Sequence, residues 1–276
     1  MPQTGVHMPR LDRLGITVSL VTLGLALSLL IPLPSREYGL IVLGSELTLR
    51  FSGHAQLAAI LTPLVWAGVD AIMRSHPLVH DRRLAYTVTF WVVPSLVILA
   101  SVILLQDLRW WGHQIMLIGF TGLTLSVLIV SQYRSIDSSE GCYSEARLIL
   151  NAMVYVTSLV LFTALYGSRV RSVVSATGVL IAGSMFGLEL LRNTQGPIGR
   201  TWLYAILTGI LMGELTWALN YCSIDGRVGG ALLLLAFYTL TGLVQQHLWG
   251  SLSRRVIIEF GAVCALGLAV LVAFSK

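Results

Sequence analysis

The sequence predicts an all-α integral membrane protein, and two features lead to that prediction. Of its 276 residues, 55% are hydrophobic and only 11% are charged, whereas a soluble domain typically has about 25% charged residues. The apolar residues occur in blocks of about twenty, the length that an α-helix needs to cross about 30 Å of hydrocarbon. The lipid bilayer is therefore the expected environment of this chain.

Nine apolar blocks are long enough to be transmembrane helices, and we expect them to form one polytopic domain over residues 1–276. The predicted spans are 14–33, 54–73, 85–105, 111–131, 146–166, 172–191, 201–221, 229–249 and 256–275. Charged residues crowd the start of the last span, so eight spans are the alternative. The first block is too long for a signal peptide and has no small-residue cleavage site, so we interpret it as a retained helix.

The connection after the first span, residues 36–53, has a pattern typical of β structure. Two strand-like runs, 38–43 and 46–51, flank Gly44 and Ser45, and the second run alternates apolar and polar residues. This pattern predicts a β-hairpin with a two-residue turn at Gly44-Ser45. Because an isolated hairpin is only marginally stable in water, we expect it to cap the helix ends or to form a docking site for a partner.

The basic residues predict the orientation of the chain. Its net charge is +5, but the arginines are scattered singly or in pairs between apolar blocks, which argues against a nucleic-acid partner. With nine spans, eleven basic residues lie on the side of the N-terminus and seven on the opposite side. Because cytoplasmic loops carry the excess of Lys and Arg, we expect a cytoplasmic N-terminus.

Three acid–arginine pairs lie at the predicted ends of spans. Their spacing of three or four residues places both side chains on one helix face. The pairs are Asp70–Arg74, Glu189–Arg192 and Arg255–Glu259. We expect them to be interfacial ion pairs that set the depth of their helices, rather than catalytic groups.

Glu214 is different, because it lies about two-thirds of the way along span 7 and that span has no basic residue beyond Thr201. Trp217 and Tyr221 follow it at intervals of three and four residues, and Asn220 adds a polar group nearby. An ionisable group at membrane depth is costly and is a functional candidate by default. Glu214 therefore either carries a proton or anchors a ligand, or it is a neutral side chain that hydrogen-bonds between helices.

Two GxxxG steps mark helix faces that a neighbouring helix can approach closely. They are Gly183–Gly187 in span 6 and Gly209–Gly213 in span 7. Such faces pack helices of one chain or bind a helix of a partner.

The histidines and cysteines give only weak signs of a cofactor. His54 and His113 both begin spans on the predicted outer side, so they could together hold a haem or a pigment. We expect His76 to lie in a solvated loop, because the proline that follows it disfavours helical geometry. The three cysteines lack metal-ligand spacing, so we predict no metal and no bound cofactor.

The C-terminal third carries a resemblance. The stretch Gly213–Asn220, the run 230–238 and the helix start at Arg254-Arg255 with Glu259 are similar to an uncharacterised family of bacterial multi-spanning membrane proteins. The resemblance implies a multi-spanning membrane fold, a location in a bacterial cytoplasmic (inner) membrane, and no particular activity. It draws attention to Glu214, Trp217 and Asn220 as more than packing residues.

Three functional hypotheses follow. The first is a non-catalytic bundle that docks a partner protein subunit or a lipid, through the hairpin and the glycine-rich faces. The second is a transporter or flippase that uses Glu214 as a proton or substrate site, and the third is a haem or pigment carrier that uses His54 and His113. No hydrolase, nucleotide-binding or metalloprotease motif is present, so we lean against an enzyme, and the shortage of polar groups at mid-depth favours the first hypothesis.

Overall fold

The structure is a computed structural model that describes residues 11–31, 34, 36–42, 45–51, 53–79, 84–137, 141–168, 172–192, 198–222 and 224–274. These residues form, in chain order, α1 (Leu11–Leu30), β1 (Arg36–Val42), β2 (Ser45–Phe51), α2 (Gly53–Met73), α3 (Leu84–Asp107), α4 (Trp111–Arg134), α5 (Tyr143–Gly167), α6 (Ser172–Leu191), α7 (Ile198–Asn220), α8 (Gly226–Leu248) and α9 (Arg254–Phe274). The chain divides into two compact units, Met1–Leu150 and Asn151–Lys276, with the boundary inside α5.

The helical membrane-protein class is confirmed by the length and composition of the helices. Within the described ranges, α1 to α8 each contain a segment long and apolar enough to cross a membrane. α9 is not among these eight. Whether the chain spans the membrane eight or nine times, and in which direction, therefore stays a prediction.

Helix ends differ from the predicted spans where local chemistry decides them. α1 ends at Leu30 rather than at residue 33, because Pro32 disfavours helical geometry at Ile31. α8 starts three residues earlier than predicted, because the carboxylate of Asp225 caps the helix by accepting a hydrogen bond from the Arg227 backbone N–H at 3.2 Å. An aspartate at this position satisfies a donor that the first turn leaves open.

The strands β1 and β2 pair antiparallel over their seven residues, with Arg36 opposite Phe51 and Val42 opposite Ser45. The prediction of a turn at Gly44-Ser45 is wrong for Ser45, which belongs to the ladder opposite Val42, whereas residues 43–44 lie outside the described residues. The side chains of both strands are also outside the described part, so the capping or docking role of this segment stays a prediction. Just beyond it, Gln56 Nε2 of α2 donates to the Pro34 carbonyl at 2.8 Å.

In the first unit, α1, α2, α3 and α4 pack through small and polar contacts. Gly24 of α1 lies so close to α2 that an added Cβ would be 2.6 Å from Leu61 Cδ2. Thr121 of α4 donates a buried 2.9 Å hydrogen bond to Ser101 of α3. Close backbone approach and hydroxyl bonds of this kind hold membrane helices together where lipid removes the hydrophobic driving force.

In the second unit, three phenylalanines form an aromatic centre. Phe162 of α5, Phe186 of α6 and Phe237 of α8 are fully buried, with ring centroids 5.6 to 6.3 Å apart in edge-to-face arrangement. This geometry places the positive edge of one ring against the negative face of another. The Tyr166 hydroxyl of α5 adds a 2.9 Å hydrogen bond to the Leu219 carbonyl of α7.

The two GxxxG steps face each other between α6 and α7. An added Cβ at Gly183 would lie 3.6 Å from the Gly209 Cα, and one at Gly187 would lie 3.6 Å from the Ala205 Cα. At Gly209 and Gly213 an added Cβ would meet the backbone of α6 at 2.5 and 3.2 Å. The glycine-rich faces are thus occupied within the chain, and the hypothesis that they dock a partner is wrong for these two faces.

Candidate functional site

Gly209 and Gly213 determine which side of α7 packs on α6, and the opposite side is exposed. The side with Ala205, Gly209, Met212 and Thr216 is buried, since it packs on α6. The opposite side carries a row of exposed residues spaced alternately by four and three positions, the spacing of one face of an α-helix. We call this row the α7 stripe: Leu203, Leu207, Ile210, Glu214, Trp217 and Tyr221.

Glu214 is the acidic residue of the α7 stripe. It is exposed, and among the described residues no hydrogen bond or ion pair reaches its carboxyl group. It lies six residues before the helix end at Asn220, which corresponds to about 9 Å along the axis. The carboxyl group therefore lies on the exposed surface of a helix that is long and apolar enough to cross a membrane.

The residues predicted to accompany Glu214 are not all on its side of the helix. Trp217 and Tyr221 share the stripe and are 49% and 81% exposed, and the Trp217 indole donates a 3.3 Å hydrogen bond to the Tyr221 hydroxyl. Asn220 turns toward α6 instead, where its amide donates to the Ser175 hydroxyl at 2.9 Å. The stripe therefore ends in an aromatic pair with polar tips, a combination that suits a membrane interface.

The predicted acid–arginine pairs are close enough to form ion pairs. Their N–O distances are 2.7 Å for Asp70–Arg74, 3.0 Å for Glu189–Arg192 and 3.2 Å for Arg255–Glu259. The three differ in burial, since the side chain of Glu189 is 1% exposed whereas those of Arg255 and Glu259 are 89% and 62% exposed. The exposed pair contributes little to stability, and the role of all three in setting helix depth stays a prediction.

The two histidines of the haem hypothesis receive little support. The side chain of His54 lies outside the described residues. His113 is exposed at the start of α4, where its ring packs edge-to-face on Trp110 with centroids 4.9 Å apart. Within the described ranges, no group of three or more His, Cys, Asp and Glu residues is placed to hold a metal ion.

His76 was misjudged from the sequence. It is 2% exposed, its ring packs edge-to-face on Tyr133 of α4 at 5.0 Å, and its Nδ1 accepts from the Leu78 backbone N–H at 3.2 Å. The prediction of a solvated loop at His76 is wrong, because the segment after α2 packs against α4. Val79 of the same segment is buried as well. The apolar pair Leu78-Val79 directly after Pro77 was the available signal.

A groove between α4 and the start of α5 was also missed. It encloses about 270 Å³ and combines charged and polar side chains with apolar ones. Its lining residues are Ser126, Val127, Val130, Ser131, Arg134, Cys142, Glu145, Ala146 and Ile149. These residues belong to the end of one predicted span, the beginning of the next and the connection between them, and the sequence alone does not show that they line one groove.

Comparison with known proteins gives one match. A family model described as "Protein of unknown function (DUF5656)" matches residues 33–274, which is far more of the chain than the C-terminal third that carries the resemblance. No curated protein and no solved structure matches significantly.

Proposed function

The chain belongs to this family of unknown function, and we propose that it is a non-catalytic membrane helix bundle that docks a partner membrane protein through the α7 stripe. The observation that carries the proposal is the exposed carboxyl group of Glu214 in an otherwise apolar row. A group of this kind on the outer surface of a transmembrane helix has no protein partner until another helix covers it.

The energy of this arrangement favours a bound partner. An acidic side chain that faces lipid costs about 3 kcal/mol at the centre of a membrane helix and less toward its ends, so the cost at Glu214 is below about 3 kcal/mol. A helix that presents a hydrogen-bond donor to Glu214 removes part of that cost and adds a bond of about 0.6 to 2 kcal/mol. The neighbouring Leu207, Ile210 and Trp217 supply apolar area for the same contact.

The partner we propose is a transmembrane helix of a different protein, with an Arg, Lys, His or amide side chain at the depth of Glu214. A second copy of this chain would bring the same acid to the interface and no basic residue, because the α7 stripe contains none. Charge complementarity therefore favours a partner of different sequence.

The exposure of Glu214 supports docking better than transport or cofactor binding. A transport site requires the carboxyl group to face a hydrated cavity, together with several convergent polar groups. Trp217 and Tyr221 are the polar-tipped neighbours of Glu214 on the stripe, and they bond to each other. The haem hypothesis stays the weakest, since it depends on His54 and His113 alone.

Site-specific photo-crosslinking in native membranes tests the proposal. A photoreactive residue replaces Ile210 on the stripe or, as a matched control, Phe120, which is exposed on α4. We expect a crosslinked product of discrete mass from position 210 only, lost in Glu214→Ala and weakened in Glu214→Gln. Mass spectrometry of the product should show a partner helix with a donor side chain.

Three results would contradict this function. They are the absence of a product at position 210, a product that Glu214→Ala leaves unchanged, and a product that consists of two copies of this chain. The last result would keep the stripe as an interface but would replace the proposed partner by self-association.

A further inference from the structure

The groove between α4 and α5 lies at one membrane surface, and it is separate from the α7 stripe. Arg134 is the last residue of α4 and Glu145 is the third residue of α5. Their helices are joined by a connection of eight residues, so both side chains belong to the same side of the bilayer. Ser126, the lining residue of α4 that is farthest from Arg134, is eight residues before it, or about 12 Å along the helix.

The groove holds one positive and one negative group that do not neutralise each other. The Nε of Arg134 is buried and has no hydrogen-bond partner among the described residues. Glu145 is exposed at the groove wall, and no ion pair between it and Arg134 is found in the described part of the chain. Arg134 as a whole is only half-buried, and its two terminal guanidinium nitrogens are not among the buried atoms. A ligand with complementary charges therefore contacts Arg134 through those nitrogens and Glu145 through its carboxylate.

Below the charged groups the groove is apolar and continues as an exposed row on α4. Val130 and Val127 line it, and the row goes on to Leu123 and Phe120, which are 62% and 60% exposed. From Arg134 to Leu123 the row is eleven residues, or about 16 Å, long. This is close to half of the 30 Å hydrocarbon thickness, so the row has the length of one lipid leaflet.

We propose that this groove binds a phospholipid with a zwitterionic ethanolamine headgroup. The phosphate accepts hydrogen bonds from the Arg134 guanidinium, and the primary ammonium donates to the Glu145 carboxylate. An acyl chain lies along Val130, Val127 and Leu123. The volume of about 270 Å³ is just below the range for drug-sized ligands, which suits a headgroup whose chains lie outside the enclosed part.

The headgroup chemistry separates ethanolamine lipids from the alternatives. A choline headgroup has no N–H to donate to Glu145, and a glycerol headgroup has no positive charge for it. Choline therefore loses this hydrogen bond, and glycerol replaces it by a weaker bond from a neutral hydroxyl group, so we expect either lipid to bind about tenfold more weakly. Of these three headgroups, only ethanolamine brings a charged donor to Glu145 while its phosphate contacts Arg134.

Native mass spectrometry of the delipidated full chain tests the proposal, with phosphatidylethanolamine, phosphatidylcholine and phosphatidylglycerol of identical acyl chains as probes. We expect the ethanolamine lipid to bind about tenfold more tightly than the other two. Arg134→Gln should weaken all three lipids by about tenfold, and Glu145→Gln should weaken the ethanolamine lipid alone. Arg255→Gln and Glu259→Gln are the matched controls, since that pair is exposed on α9, and they should leave all affinities within twofold.

The proposal is wrong if the wild-type chain binds the three lipids equally or prefers the glycerol lipid. It is also wrong if Glu145→Gln fails to reduce the ethanolamine preference, or if the α9 controls reduce binding as much as Arg134→Gln does. Circular dichroism of each variant shows whether it keeps the helical fold.

Discussion

Replacement of Gly209 by alanine should destabilise the second unit more than the same change at any other glycine of the α6–α7 contact. An added Cβ would lie 2.5 Å from the Leu180 carbonyl oxygen and 2.9 Å from the Ser184 Cβ, and it would overlap the Ser184 hydroxyl. The carbonyl oxygen belongs to the α6 backbone and cannot rotate away, so the two helices must separate locally.

The size of the effect follows from the distance that must be gained. A Cβ contact normally needs at least 3.4 Å, so α7 must move about 0.9 Å from α6, and a gap of this size forfeits a quarter to a half of each contact's attraction. Overpacking of this kind costs about 1 to 3 kcal/mol. Alanine returns at most about 1 kcal/mol through its helix propensity. We expect a net loss of about 1 to 2 kcal/mol.

Two neighbouring glycines provide a graded series. At Gly213 the added Cβ would lie 3.0 Å from the Leu180 Cβ, and at Gly187 its closest contact would be an ordinary 3.6 Å. Gly213→Ala should therefore cost about 0.5 to 1 kcal/mol, and Gly187→Ala should be neutral or slightly stabilising.

The assay is unfolding of the detergent-solubilised chain by titration with sodium dodecyl sulfate, followed by tryptophan fluorescence and far-ultraviolet circular dichroism. Trp202 and Trp217 are exposed residues of α7, and they report the unfolding of that helix. The reasoning is refuted if Gly209→Ala unfolds at the same detergent fraction as the wild-type chain, or if Gly187→Ala is the more destabilised of the two.

Three further predictions use the same preparation or intact cells. Glu189→Ala should cost about 3 kcal/mol of unfolding free energy, because it leaves Arg192 without its buried counter-charge, and a loss below 1 kcal/mol in the detergent titration would contradict this. Asn220→Leu, which removes the hydrogen bond to α6, should cost only about 0.6 kcal/mol in that titration, so a loss above 2 kcal/mol would show a larger role. A membrane-impermeant maleimide should label a variant that keeps only Cys222 in intact cells and should not label one that keeps only Cys142, and the reverse pattern would invert the predicted orientation.

The helical spans could be predicted because lipid imposes one strong requirement on composition and length. The ends were less predictable, since they depend on single residues such as Pro32 and the capping Asp225. Ser45 was assigned to the turn rather than to the strand because a period-two pattern indicates the strands without defining the pairing register.

The exposed orientation of Glu214 could have been inferred from the sequence. Both sides of α7 are apolar, so hydrophobicity alone does not distinguish lipid from a neighbouring helix. Gly209 and Gly213 make this distinction, because a GxxxG step indicates the face that packs on a neighbouring helix. Glu214 is about 100° around the helix from Gly213, so it lies away from that face. The burial of His76 and the groove at Arg134 could not be inferred in this way, because each depends on contacts between helices.

The tight fit of α6 against α7 also bears on how the chain is made. α7 has the lowest mean hydropathy of the eight candidate spans in the described residues, and its acid adds a penalty of up to about 3 kcal/mol for entering lipid alone. Since synthesis proceeds from the N-terminus, α6 reaches the bilayer first and offers α7 a glycine-lined surface as it leaves the translocon. The two helices should therefore enter as a hairpin, and a substitution that keeps them apart should reduce the amount of chain inserted before it affects any activity.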